Sequence, residues 1–64
     1  IILGFDKESC RVFGELYNNL VKKGKMTQET DLMIAAICIR NNVVLITSNK
    51  KHFENISELK VEFW

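Results

Sequence analysis

Cys10, Phe13, Leu16, Tyr17, Leu20 and Val21 recur three and four residues apart, the spacing that lines one face of a helix. Asp6 stands just ahead of them and suits an N-cap. Lys22 and Lys23 suit the negative end of the helix dipole, and Gly24 suits the C′ position. Gly14 lies inside this stretch, at a cost of about 1 kcal/mol against Ala, which points to a close helix contact. Leu32 to Ile39 is apolar all round, so a central, buried helix is expected. Thr27 and Thr30 are its candidate caps, and Asn41 and Asn42 can take left-handed geometry to stop it. Val43 to Ile46 is a short continuous apolar run, read in an α/β protein as a strand buried on both faces. Ile1 to Leu3, broken by Gly4, reads as the end of another buried strand. Lys50 to Glu54 reads as a helical turn. Val61 and Phe63 alternate with Lys60 and Glu62 as a last, half-exposed strand. The predicted order is strand, helix, helix, strand, turn, strand, one α/β domain over residues 1–64.

Composition narrows this picture. With 64 residues, 47% of them apolar, one small core is attainable but marginal, and a staple or a partner would help. Cys10 and Cys38 both sit in apolar helical patterns. Buried free thiols are expected there rather than a disulfide, which fits a reducing, cytoplasmic setting. His52 is the only histidine, so no Cys/His group has zinc spacing. The net charge of +1 gives no global field for nucleic acid. The apolar run Leu32 to Ile39 is too short to span a membrane, and no stretch has the pattern of a signal peptide. A first residue Ile1 with mid-strand character is expected of a piece of a longer protein.

Two places could carry chemistry. Asp31 falls in the first turn of an otherwise apolar helix. It could simply complement the dipole, or be a rigidly held carboxylate ligand for a hard divalent cation. Thr47, Ser48 and Asn49 follow the apolar strand, where ligands bind in open α/β sheets; they could equally be an ordinary polar turn. His52 is a weaker candidate, since a lone histidine is usually packed or solvated; Lys50 and Lys51 could touch phosphate or simply be solvated. Asp6 and Glu8 suit a helix start. Phe13, Tyr17, Phe53, Phe63 and Trp64 are scattered, which suits core packing and not a base-stacking platform.

The run Asp31-Leu32-Met33-Ile34-Ala35-Ala36, followed by Val43-Val44-Leu45-Ile46-Thr47-Ser48-Asn49-Lys50-Lys51-His52-Phe53, resembles the C-terminal part of PIN domains, especially VapC-type toxins. Gly14 with Leu16 and Leu20, and the closing Val61-Glu62-Phe63-Trp64, are similar too. The resemblance implies an α/β, PIN-like parallel-sheet sandwich, present here as the C-terminal half. It implies a metal-dependent endoribonuclease whose acidic side chains gather Mg²⁺ or Mn²⁺. Asp31 matches the third acidic position of the family and Asn49 the fourth, with Thr47 or Ser48 in support. Lys50 and Lys51 are weak candidates for RNA contact. Partners so implied are an RNA substrate and a VapB-like antitoxin.

The departure from the family pattern is its length. The first strand with its Asp, and a Glu on a following helix, would lie upstream of Ile1. The chain alone is therefore expected to be inactive, and to pair through an open strand edge with its missing half or with further copies of itself. The alternatives are an inactive truncated remnant and a small α/β protein-interaction module.

Overall fold

A computed structural model describes residues 4–25 and 27–64; the strand expected at Ile1 to Leu3 lies outside them. The elements are helix α1 (Lys7–Lys22), helix α2 (Glu29–Arg40), strand β1 (Leu45–Thr47), the one-turn helix α3 (Lys50–Phe53) and strand β2 (Val61–Phe63). Asp6 caps α1 as expected, its Oδ1 accepting from Ser9 N at 2.8 Å. Both long helices end in the same way. Gly24 N donates to Val21 O and Lys25 N to Leu20 O, at 3.0 and 2.9 Å. Asn42 N donates to Ile39 O and Val43 N to Cys38 O, at 3.1 and 3.0 Å. These are paired Schellman bonds around a left-handed residue, Gly24 at φ 69° and Asn42 at φ 54°. The start of α2 departs from expectation. Its N-cap is Gln28, with no side-chain cap bond, while Thr27 lies ahead of the cap and Thr30 inside the first turn.

α1 packs along α2, and α3 touches α2. The core joins Leu16 and Leu20 of α1, Leu32, Ala35, Ala36 and Cys38 of α2, and Phe53, Ile56 and Leu59 beyond β1. The two strands pair in parallel, Leu45 opposite Val61, Ile46 opposite Glu62 and Thr47 opposite Phe63. Leu45 and Val61 pack against the core. Ile46 points the other way and is 59% exposed, and Val44 is half exposed.

The strand read as buried on both faces is thus covered on one, because no second layer lies over Val44 and Ile46 among the described residues. The same holds for α2. Leu32, Ala35 and Ala36 face the core, while Met33 and Ile34 are exposed. Gly14 has no close neighbour: a Cβ built there meets nothing within 4 Å among the described residues. Both thiols are free, but only Cys38 is buried; Cys10 is exposed. Of the aromatic residues only Phe53 is a core residue. Phe13 packs at the core margin and meets Phe5 edge to face, ring centres 6.1 Å apart.

Candidate metal centre at the start of the second helix

Asp31 is the third residue of α2. Leu32, 1% exposed, anchors the helix next to it, so the carboxylate is carried on a fixed backbone. Its side chain is only 15% exposed. Oδ2 is buried and accepts no hydrogen bond. His52 Nδ1 comes within 2.9 Å of it. That is ion-pair distance for a protonated imidazole, although the contact is not aligned as a hydrogen bond. A buried carboxylate oxygen without a partner is costly, and a cation is one chemistry that satisfies it.

The second candidate forms as a turn. Thr47 closes β1, and its Oγ1 accepts from Asn49 N at 3.1 Å, a side-chain-to-backbone turn. Asn49 sits at the N-cap of α3 but its side chain makes no cap bond. Ser48, Asn49, Lys50 and Lys51 are exposed. Asp31 and Asn49 therefore belong to two helices in contact, with no hydrogen bond between their side chains among the described residues. The residue that the fold does bring to Asp31 is His52, which the sequence reading set low. Its neighbour Phe53 is buried and fixes α3 against α2, which turns the imidazole toward the carboxylate. Asp6 and Glu8 serve the start of α1 as expected, with Asp6 3.7 Å from Arg40 and Glu8 paired to Arg11.

Among the described residues no three His, Cys, Asp or Glu side chains come together as a metal site. The donors fit a divalent cation in kind, one buried carboxylate with an orphan oxygen, but not in number. A groove of about 380 Å³ lies elsewhere, between α1 and the far end of α2, lined by Arg11, Glu15, Leu16, Ile39, Arg40 and Glu58 among others. Ile39 is eight residues beyond Asp31, about 12 Å along the helix at ~1.5 Å per residue, so this groove is not part of the site. No described helix is long and apolar enough to cross a membrane.

Comparison with known proteins gives the context for these residues. No family model matches the chain. Ribonuclease VapC1 of Methanocaldococcus jannaschii is 36% identical over 63 residues, covering 98% of this chain and 46% of that protein. Ribonuclease VapC2 of Rickettsia felis is 36% identical over 63 residues, 98% of this chain and 47% of that protein. The solved structure of Rickettsia felis VapBC2 bound to a promoter DNA fragment matches with a TM-score of 0.86 at 37% identity, over 94% of this chain and 45% of that one. VapBC-1 of nontypeable Haemophilus influenzae matches with a TM-score of 0.84 at 36% identity, over 92% of this chain and 44% of that one. VapBC-5 of Mycobacterium tuberculosis, at 20% identity, matches in fold with a TM-score of 0.82. The chain spans about half the length of the relatives it matches, and the match is to their C-terminal part. The chain is a VapC/PIN-type sequence, the counterpart of the C-terminal part of those ribonucleases.

Proposed function

We propose that this chain is the C-terminal part of a VapC-like endoribonuclease toxin that cleaves RNA phosphodiesters with Mg²⁺ or Mn²⁺. The observation that carries this reading is the largely buried Asp31 carboxylate in a VapC-type chain, whose Oδ2 accepts no aligned hydrogen bond and faces the His52 ring. Asp31 and Asn49 would hold the ion, with Thr47 and Ser48 shaping the turn that presents Asn49. When bound, such an ion supplies an activated water and stabilises the leaving oxygen. Lys50 and Lys51, exposed beside the turn, would meet the RNA phosphates. Asn49 ligates through a carbonyl and brings no charge, so two candidate ligands carry one negative charge between them. Mg²⁺ gives up its waters reluctantly and is usually held by carboxylates together with substrate phosphates. Further carboxylates must come from outside these 64 residues. The bare apolar positions Val44 and Ile46 support a further covering segment, because parallel sheets are normally covered on both faces. An N-terminal half of VapC type fits that place; homo-oligomers are the alternative. A VapB-like antitoxin as the inhibitor, and a cytoplasmic setting for the free thiols, complete the reading.

A second reading is that of an inactive remnant or interaction module. The lack of a three-ligand cluster among the described residues favours it. The two are separated by adding the N-terminal half of the Rickettsia felis VapC2 protein in trans and assaying single-stranded RNA with Mn²⁺. Cleavage by the mixture, absent from either half alone and from the mixture with Asp31→Asn, supports the ribonuclease. A stable stoichiometric complex that does not cut leaves the remnant reading standing in its place.

A further inference from the structure

We infer that Lys22, Lys23 and Lys25, at the close of α1, form with Lys50 and Lys51 of α3 one surface that docks the phosphate backbone of single-stranded RNA. The substrate class rests on the ribonuclease reading; the surface and the three α1 lysines go beyond it. Asp6, ahead of α1, lies 3.7 Å from Arg40 at the end of α2, so the two packed helices run antiparallel. The end of α1 therefore lies beside the start of α2, joined to it through residues 23–28. His52 reaches Asp31 at 2.9 Å, which brings α3 to the same end. Five of the nine Lys and Arg residues are thus gathered at the end of the molecule that carries Asp31, and all five are exposed.

The opposite end treats its cations differently. There Arg11 pairs with Glu8 and Glu15, Arg40 faces Asp6, and Lys60 is held by Asn42. At the Asp31 end no lysine is ion-paired among the described residues. The acidic residues there are Glu29, Asp31 and Glu54, of which Asp31 has His52 against it. Lys23 is the most balanced of the five, because Glu58, bonded to Ser57 and Asn19, lies on its side. A net charge of +1 gives no field over the whole chain, but unpaired lysines on one end give a local one. Lysine meets phosphate as a point charge, and such contacts position a strand without reading its bases. The surface is therefore expected to hold RNA of any sequence beside Asp31.

Binding of a fluorescein-labelled single-stranded RNA to the full chain, followed by anisotropy across a salt series, tests this. Each phosphate neutralised on a single strand contributes about −0.7 to the slope of log affinity against log salt. Lys22→Gln/Lys25→Gln is expected to weaken binding and to make that slope shallower by about 1.4. Lys7→Gln/Lys60→Gln removes the same charge at the opposite end and is expected to leave the slope unchanged. In the mixture with the N-terminal half of Rickettsia felis VapC2, Lys22→Gln/Lys25→Gln is expected to raise KM for RNA with kcat unchanged. A slope that Lys22→Gln/Lys25→Gln does not change overturns the inference. So do equal losses in the two double variants, since net charge alone explains them. If the mixture cuts RNA with a KM that Lys22→Gln/Lys25→Gln does not move, the ribonuclease reading stands and this one falls. If RNA binding depends on Lys22 and Lys25 in a mixture that does not cut, this surface stands and the ribonuclease reading falls.

Discussion

Lys60 Nζ donates to Asn42 Oδ1 at 2.8 Å, so the residue that stops α2 also holds the strand-leading residue of β2. Lys60 contributes its backbone to the same place, its carbonyl accepting from Leu45 N at 2.9 Å. Asn42 has two separable roles, a left-handed backbone at φ 54° and a side-chain acceptor. Asn42→Gly keeps the first and loses the second, and is expected to cost little. Asn42→Val loses both and puts a β-branched residue where it is strained, at a further cost on the order of 1–2 kcal/mol. Urea midpoints of the two variants give the order; equal midpoints would mean that the backbone conformation is not held.

Gly14 lies in the interior of α1 with open space where a Cβ would stand. Gly14→Ala is expected to stabilise the chain by about 1 kcal/mol, read as a higher denaturation midpoint. The complex with a VapC-type N-terminal half supplies the counterpart measurement. A variant that is more stable alone but no longer associates would put a helix of the partner against Gly14.

The two thiols differ. Cys10 is exposed and Cys38 buried, and burial pushes the Cys38 thiol above its ordinary value. A water-soluble thiol reagent is expected to titrate one cysteine rapidly in the native chain and the second only with denaturant. Two equally fast thiols would show that the packing around Cys38 opens readily.

The backbone N–H of Ser9 holds the Asp6 carboxyl below its ordinary range. A group with a lowered folded value stabilises fully above its unfolded value, and loses that contribution as pH falls through the folded one. The start of α1 is therefore expected to loosen below about pH 4, seen as faster amide exchange at Ser9. Asp6→Ala should remove this acid step at Ser9. A step that survives the substitution belongs to another carboxylate.

Much of this was legible in the chain because it is local. The cap at Asp6, the stops at Gly24 and Asn42 and the acid in the first turn of α2 depend on residues within one or two turns. His52 was legible only as a weak candidate, because its approach to Asp31 depends on the packing of α3 on α2. The run Val43 to Ile46 shows that it should be covered, and cannot show whether the covering residues are in the same chain. Cys10 illustrates the limit of periodicity: a helical stripe places a residue near the core edge without deciding which side of the edge. Gly14 has no account among the described residues.

The paired bonds that end α1 and α2 have a kinetic consequence. They close over five residues, so each helix stop can form from short-range contacts alone, and the helices they bound are neighbours in sequence. The parallel strands close a longer loop, yet Leu45 and Val61 are still only sixteen residues apart. Low contact order favours quick folding. The described residues can therefore reach their own structure before any further segment packs over Val44 and Ile46, and covering those two positions becomes a late step.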